Sequence, residues 1–314
     1  MKFCNLYKTD MKTNLAILGM SLSILLSSCY KEDELGSVDN IPGLGGDTWV
    51  QGPIDKWIND SLTIPYNIAA KYKWDQGELQ GFFDKTVVPP KEENVIPVLS
   101  SIKKAWINVY VEQGGLLFFK NVSPKFFILV GSSVWVRGGR IVGTAEGGRK
   151  VVMLDVNNFR IKGMPGYVPS DTSNVKEAFK TIHHEFAHIL DQNVDVPVSF
   201  SQSSASSYTS DWLNVTPIDA KNEGFITPYA ISAAVDDWAE MVAEMLVEGK
   251  AGFDQYVNSI NYTGTTANGT TAVQARARLR EKEAAVVTYF KQAWNIDFYS
   301  LQARSKAAIN ALLF

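Results

Sequence analysis

Cysteine and histidine are both scarce in this chain of 314 residues, which has two cysteines and three histidines. Cys4 and Cys29 both lie near the N-terminus, so a disulfide framework cannot hold the rest of the chain together. An excess of one charge is also lacking, since the formal net charge is −3 and no run of lysine and arginine occurs. This balance excludes nucleic acid as the main partner. The composition is that of a globular protein that depends on packing for its stability.

Apolar runs long enough to span a membrane are missing as well, and the apolar run near the N-terminus is short. Residues 15–26 are mostly apolar, follow Met11-Lys12 and precede Ser27-Ser28-Cys29. A permanent membrane-spanning helix needs about 20 apolar residues, so this pattern predicts a secretory signal instead. The stretch 26–29 resembles the bacterial lipoprotein box. We therefore predict a lipoprotein signal peptide at residues 1–28 and a membrane anchor through lipidation of Cys29. An ordinary signal peptide that contains a cysteine is the alternative, and either Met1 or Met11 could be the start.

Residues 29–48 are polar and then glycine-rich, which predicts a flexible tether. The acidic stretch 30–34 resembles the surface-export signal of Bacteroidetes lipoproteins, and a solvated tether is the alternative. These features predict an exported lipoprotein of the outer membrane that is exposed at the cell surface. Residues 49–314 are predicted to form one folded domain.

Hydrophobic spacing in that domain predicts a mixed α+β fold. Apolar residues at helical spacing predict helices at 95–113, 175–192, 233–248, 270–292 and 299–312. Runs of β-forming residues predict strands at 116–119, 125–130 and 151–155, with turns at Gly138-Gly139 and Gly147-Gly148. A small mixed sheet followed by helices suits an α+β domain with metal ligands on its helices.

The helix predicted at 175–192 carries the clearest motif of the chain, His184-Glu185-Phe186-Ala187-His188. Asn174 is a candidate N-cap of this helix, and Glu177 three residues later completes a capping-box pattern. The helix is amphipathic, with an apolar stripe from residue 175 to residue 190.

The two histidines of the motif lie one helical turn apart and off the apolar stripe. Residues at i and i+4 share a helix face, so His184 and His188 can both bind one ion. Zinc accepts histidine nitrogen and keeps a position open for water in catalytic sites. Glu185 is then placed to take a proton from that water. A helix with incidental surface histidines is the alternative.

All three histidines of the chain fall within residues 183–188. Histidines scattered as core or surface residues would rarely cluster in this way, which favours the metal site. His183 points away from the metal face because it neighbours His184 on the helix. We therefore expect a structural or supporting role for His183.

A third protein ligand is needed, and an acidic stripe on the helix predicted at 233–248 supplies candidates. Asp236, Glu240 and Glu244 follow one another at intervals of four residues. Such a stripe is usually a solvated helix face. Combined with the HExxH pattern, it predicts one zinc ligand and a neighbour that orients a ligand histidine by a hydrogen bond. Asp236 and Glu240 both remain candidates for the ligand.

The chain resembles the zinc-binding metallopeptidase lipoproteins of gut Bacteroidetes. Stretches across nearly the whole mature chain carry this resemblance: 54–58, 65–68, 73–74, 89–90, 184–188, 229–230, 236–240, 294–298 and 301–302. The resemblance implies a zincin-like metallopeptidase domain with Zn²⁺ as cofactor, and it leaves the substrate undefined.

A more distant resemblance, to the catalytic domain of anthrax lethal factor, bears on the roles of single residues. That domain also has HEFxH, followed later by a tyrosine seven residues before a Glu-x-x-Ala-Glu segment. The resemblance implies that Asp236 binds zinc, Glu240 supports the site and Tyr229 stabilises the oxyanion. This chain departs from the pattern by having aspartate where glutamate is usual, so Glu240 remains an alternative ligand. A core aromatic is the alternative reading of Tyr229.

Together these features predict a zinc-dependent metallopeptidase that hydrolyses peptide bonds of extracellular proteins. A strand around residues 142–155 is expected to bind the substrate backbone by β-addition. The rival hypothesis is a surface-exposed lipoprotein that captures glycan or protein and has a structural or vestigial metal site. The intact Glu185 argues against it, because a structural zinc site needs no base. A peptidase that acts on glycosylated proteins such as mucins is a third hypothesis.

Overall fold

The computed structural model describes residues 50–82, 85–136, 139–141, 143–146 and 150–314. Gln51–Phe314 cluster as one compact unit. The predicted signal peptide, the lipidation site Cys29 and the tether lie outside the described residues. So do Gly138 and Gly147-Gly148 of the two predicted turns. These features stay predictions, as does a domain boundary at residue 49.

A four-stranded sheet has the order β1 (Ala69–Lys71), β2 (Phe126–Leu129), β6 (Lys150–Met153) and β5 (Gly143–Glu146). The first three of these strands are parallel, whereas β5 runs antiparallel to β6 at the edge of the sheet. A separate antiparallel pair consists of β3 (Val134–Val136) and β4 (Gly139–Ile141). The strands predicted at 125–130 and 151–155 are confirmed as β2 and β6.

The two faces of the sheet bury different sets of side chains, as the two-residue period of a strand requires. Phe127, Leu129, Val151 and Met153 face the main core, which also contains the long helices. Ile128, Val130, Val152 and Leu154 face a smaller cluster on the other side. Burial on both faces explains why these strands are continuous apolar runs.

The helices, in chain order, are α1 (Pro53–Ile58), α2 (Ile64–Tyr66), α3 (Glu92–Ile102), α4 (Asn108–Gly114), α5 (Leu116–Val122), α6 (Asp171–Asn193), α7 (Ser199–Gln202), α8 (Pro217–Asn222), α9 (Ala234–Asn258), α10 (Ala272–Trp294) and α11 (Phe298–Leu313). A π-helical segment, Lys103–Ile107, joins α3 to α4. The five predicted helices are thus confirmed as α3–α4, α6, α9, α10 and α11. Within the described part of the chain, no helix has the length and apolarity needed to cross a membrane.

The strand predicted at 116–119 is wrong, because these residues begin helix α5. Phe119 and Val122, three residues apart, are buried, whereas Leu116 and Leu117 are exposed. Phe119 packs edge-on against Trp106, with their ring centroids 5.1 Å apart. The run therefore buries one face at helical spacing, which outweighs the β-propensity of its two phenylalanines, while its two leucines favour a helix.

The predicted N-cap at Asn174 is also wrong. Helix α6 begins one turn earlier, at Asp171, whose carboxylate accepts a hydrogen bond from Val168 N (3.0 Å) and binds Arg160. Asn174 lies inside the helix and accepts a hydrogen bond from Arg140. Glu177 binds the same arginine. The two residues of the supposed capping box thus fasten α6 to strand β4.

Trp106 lies fully buried at the centre of the main core. Its ring contacts Tyr110, Phe119, Phe127 and Phe186 edge-to-face, with centroid distances of 5.1 to 6.2 Å. Such pairs contribute about 0.5–1.5 kcal/mol each beyond the burial of apolar area. Phe186 is the middle residue of the histidine motif, so the core holds the motif helix from behind.

Candidate metal centre

Helix α6 presents His184 and His188 on the face opposite to its core contacts. Their rings are edge-to-face with centroids 4.7 Å apart, and the two Nε2 atoms lie 3.0 Å from each other. Both Nε2 atoms therefore point toward one location. Two nitrogens bound to a tetrahedral zinc at about 2.0 Å lie about 3.3 Å apart, so the observed spacing fits one ion.

Helix α9 begins beside this pair and contributes Asp236. The Oδ1 atom of Asp236 lies 3.6 Å from His188 Nε2, and its Oδ2 accepts a hydrogen bond from Ser232 Oγ (2.8 Å). Ligand atoms of His184, His188 and Asp236 all lie within 4.8 Å of one another and could hold a metal ion. A set of two nitrogens and one carboxylate oxygen suits zinc in a site with an open position.

Glu240 lies one turn further along α9, behind the ring of His184. Its Oε1 is 2.8 Å from His184 Nδ1, although it lies off the line of a well-aligned hydrogen bond. Its Oε2 accepts a hydrogen bond from Thr227 Oγ1 (2.8 Å). The two nitrogens of an imidazole point in divergent directions. A carboxylate at Nδ1 therefore orients the ring and leaves Nε2 free for the metal.

Beyond the two histidines, further side chains of α6 pair with carboxylates of α9. Lys180 binds Glu244 (2.5 Å), and Lys176 binds Glu248 (2.7 Å). Successive members of these pairs lie one helical turn apart on both helices. The two helices are thus joined by four pairs in register: His188–Asp236, His184–Glu240, Lys180–Glu244 and Lys176–Glu248. The acidic stripe of α9 therefore faces a matching stripe of basic and histidine side chains on α6. It is a helix–helix contact and not a solvated face.

Burial and neighbouring charges shift the pKa values of the two histidines in opposite directions. Burial, together with the neighbouring His184, lowers the pKa of His188 to about 4, so its nitrogen lone pair is available at neutral pH. Burial alone would lower the pKa of His184, but the Glu240 carboxylate raises it above its usual value. Burial opposes ionisation of Glu240, yet the contacts with His184 and Thr227 hold its pKa below the usual range.

Glu185 and Tyr229 lie near this centre, since the charge of Glu185 acts on His184 and the ring of Tyr229 lies beside it. Glu185 is half-buried, and the exposed fraction of Tyr229 is 39%. The Tyr229 ring lies 5.9 Å from the His184 ring and edge-to-face on Trp212 at 5.1 Å. Burial, and then the charges of Asp236 and Glu185, raise the pKa of Tyr229. The phenol therefore keeps its proton and can donate a hydrogen bond.

His183 has no part in this centre. It is fully buried, its Nδ1 lies 3.2 Å from Tyr110 Oη, and its Nε2 lies 3.2 Å from Ser305 Oγ. Burial lowers the pKa of His183 to about 3, so it stays neutral. It packs the motif helix against α4 and α11. This agrees with the structural or supporting role expected from the sequence.

The edge strand β5 approaches α6 one turn before the motif. A Cβ atom at Gly143 would lie 2.5 Å from Cγ2 of Thr181, so only glycine allows this close contact. Thr181 precedes Glu185 by one helical turn. The strand thus runs beside the motif helix, one turn before Glu185, as an edge strand of its sheet.

Several residues that build the centre were not predicted from the sequence. Thr227 and Ser232 fix the carboxylates of α9, but isolated hydroxyl residues in a loop carry no recognisable pattern. Lys180 and Lys176 could have been found, since they lie four and eight residues before His184 and match the spacing of the acidic stripe.

Comparison with known proteins identifies the class. The chain belongs to the family described as "Putative zinc-binding metallo-peptidase", whose model matches residues 47–299. A crystal structure of a Bacteroides caccae protein described in the same words is 28% identical, covers 85% of this chain and 96% of its own, and superposes with a TM-score of 0.65. No curated protein matches the chain. The predicted zinc-binding metallopeptidase family, the α+β metallopeptidase fold class and zinc as cofactor are thus confirmed, whereas the lipoprotein character stays a prediction.

Proposed function

We propose that the protein is a zinc-dependent peptidase with His184, His188 and Asp236 as its metal ligands. The convergence of these three ligand atoms, with Glu185 and Tyr229 close by, carries the proposal. Glu240 is assigned the role of orienting His184, because it contacts the other ring nitrogen. The lethal-factor register supports the same assignment.

The chemistry divides between the metal and the side chains. Zinc bound at this site supplies Lewis acidity, which polarises a carbonyl and lowers the pKa of water to about 7. Glu185 accepts the proton of the attacking water as the new C–O bond forms, and returns it to the amine as the C–N bond breaks. Tyr229 donates a hydrogen bond to the oxyanion, a contact that contributes about 3 kcal/mol.

Strand β5 is the proposed docking edge for the substrate backbone. Its antiparallel pairing with β6 uses one edge, and a peptide in extended form can add to the other. The contact between Gly143 and Thr181 fixes this edge relative to Glu185. Main-chain hydrogen bonds would then align the scissile bond, which favours unfolded segments or peptides as substrates.

Glu185→Gln tests the catalytic part of this proposal. We expect the variant to retain zinc, measured by elemental analysis, and to lose hydrolysis of a diverse peptide library followed by mass spectrometry. Glu177→Gln is the matched control, with the same substitution two turns earlier on α6, and should cleave like the wild type. Retained hydrolysis by Glu185→Gln, or a wild-type protein without zinc, contradicts the proposal. Glycosylated mucin peptides in the same library test that substrate class.

We also propose, from the sequence alone, that a lipid on Cys29 holds the enzyme in the outer membrane, at the cell surface, so that extracellular proteins are its substrates. Cys29→Ala should release the protein from the membrane fraction and abolish incorporation of radiolabelled fatty acid. External protease should digest the wild type on intact cells. A Cys29→Ala protein that stays in the membrane would contradict this location.

A further inference from the structure

A buried ion pair lies directly behind the proposed third ligand. Lys282 of α10 and Asp237 of α9 both have no exposed side-chain surface, and Lys282 Nζ lies 2.7 Å from Asp237 Oδ2. Asp237 follows Asp236 in the chain and points into the core while Asp236 points to the metal centre. The pair plays no part in the chemistry described above.

The lysine and aspartate connect four segments of the chain, which are α10, the start of α9, the loop at Gly224 and the segment of Tyr208. Lys282 Nζ also donates a hydrogen bond to the Gly224 carbonyl oxygen (2.9 Å) and lies 3.9 Å above the centre of the Phe225 ring. Asp237 Oδ2 accepts a second hydrogen bond from the Tyr208 hydroxyl (2.7 Å). One ammonium group therefore joins α10, the start of α9 and the loop before the Tyr229 turn.

Two of these segments carry groups of the proposed site, since α9 carries Asp236 and Glu240 and the Gly224 loop leads to Tyr229. The loop that begins at Gly224 continues to Thr227, which holds Glu240, and then to Tyr229. The segment of Tyr208 binds the end of the same turn, because Thr209 N donates to Ile231 O (3.0 Å). A shift of the ammonium group would therefore move the third ligand and the oxyanion donor together.

Stability alone is a poor explanation for this pair. Two charges removed from water lose their hydration, and apolar residues of similar volume often replace a buried pair without loss of stability. Among the residues that the structure describes, the Oδ1 atom of Asp237 also has no hydrogen-bond partner. A buried ion pair with these costs is better explained by its directional hydrogen bonds, which fix the positions of the connected segments in a way that apolar side chains do not.

We propose that Lys282 and Asp237 are positioning residues that set Asp236 and Tyr229 against the two histidines. This inference rests on the proposed zinc site. The pair acts through the backbone of α9 and of the Gly224 loop and touches neither metal nor substrate.

The double variant Lys282→Met/Asp237→Asn tests the inference in the full-length protein. It removes both charges together, so no uncompensated charge is buried, and the asparagine oxygen can still accept the Tyr208 hydrogen bond. We expect an unchanged urea midpoint of unfolding, a zinc Kd raised about 10- to 100-fold, and a shifted absorption spectrum of the Co²⁺-substituted protein. The loss of activity should be larger in kcat than in KM.

Arg160→Met/Asp171→Asn is the matched control. It likewise removes one positive and one negative charge, here from an ion pair at the start of α6, where Arg160 Nε lies 2.9 Å from Asp171 Oδ2. We expect its zinc Kd and Co²⁺ spectrum to equal those of the wild type. Tyr208→Phe serves if the double variant does not fold, since it removes one hydroxyl; a rise in zinc Kd of about threefold is expected from one lost hydrogen bond.

The outcomes separate this inference from the proposed function. A wild type that binds no zinc overturns both. A wild type that binds zinc, together with a folded double variant of equal zinc Kd, Co²⁺ spectrum and kcat, overturns only the positioning role. An unchanged zinc Kd in Tyr208→Phe overturns it likewise.

Discussion

Removing the carboxylate of Asp236 or of Glu240 should affect zinc binding to very different extents. Asp236→Asn and Glu240→Gln each exchange one carboxylate for an amide of the same size on the same helix. The structure places the first carboxylate 3.6 Å from His188 Nε2 and the second 2.8 Å from His184 Nδ1. The first therefore shares the location to which both Nε2 atoms point, and the second lies behind a ring.

The expected magnitudes follow from these positions. A residue that orients a ligand typically changes metal affinity by about 10- to 100-fold, which is the range we expect for Glu240→Gln. Asp236→Asn removes one of the three proposed ligands, so its zinc Kd should rise by more than about 100-fold, or about 2.7 kcal/mol. Glu244→Gln, one turn further along α9, contacts Lys180 and no histidine. Its effect on the zinc Kd should stay below about fivefold, because Glu244 touches neither of the histidines that face the metal centre.

Competition against a chromophoric chelator at fixed pH measures all three dissociation constants. Thermal unfolding of each variant with excess chelator checks that the fold is retained. The reasoning is refuted if Glu240→Gln loses more affinity than Asp236→Asn, because Glu240 would then be the ligand. Equal losses in all three variants would show that the acidic stripe acts only through its total charge.

Three further predictions concern catalysis, packing and pH. Tyr229→Phe should lower kcat by about 100- to 1000-fold, as expected for an oxyanion donor, and should leave the zinc Kd unchanged; an unaltered kcat would refute the role. Trp106→Ala should destabilise the protein by about 3–5 kcal/mol in urea unfolding, because it empties the centre of an aromatic cluster; a loss below about 1 kcal/mol would contradict that packing. The Arg160 guanidinium lowers the pKa of Asp171 from 3.8, so this pair stabilises the fold above pH 3.8 and the benefit is lost as pH falls through the lowered pKa. Urea unfolding across that pH range should therefore show Asp171→Asn less stable than the wild type at pH 7 and equally stable once Asp171 is protonated.

The sequence predicts the motif helix and its partner well because both patterns are local. The spacing of His184 and His188 places two side chains on one face wherever the helix is formed. The spacing of Asp236 and Glu240 does the same on α9. Whether these faces meet is a tertiary question, which spacing leaves open. Only the structure reveals which carboxylate contacts which ring nitrogen.

Other features could not be predicted, for identifiable physical reasons. Strand β5 contains Gly-Thr-Ala-Glu, which has weak β-propensity, and it is a strand because it pairs with β6. Lys282 stands between glutamates on α10, a pattern typical of a solvated helix face, yet it is fully buried. Its partner Asp237 is distant in sequence. The run 116–119 is predicted as a strand because it is apolar and contains two phenylalanines, whereas its leucines and its burial at helical spacing favour the helix that forms.

The four acid–base pairs between α6 and α9 also bear on how the metal relates to folding. Two of the pairs contain no histidine, and Ile182 and Val242 of the same helices are buried in one shared core. The proposed ligands are therefore brought together by the polypeptide, unlike those of zinc fingers, which fold only with metal. Zinc then stabilises the native state by mass action alone, about 2.7 kcal/mol at a free concentration a hundred times Kd. When zinc is scarce, the chain should persist as a folded reserve that regains its metal without refolding.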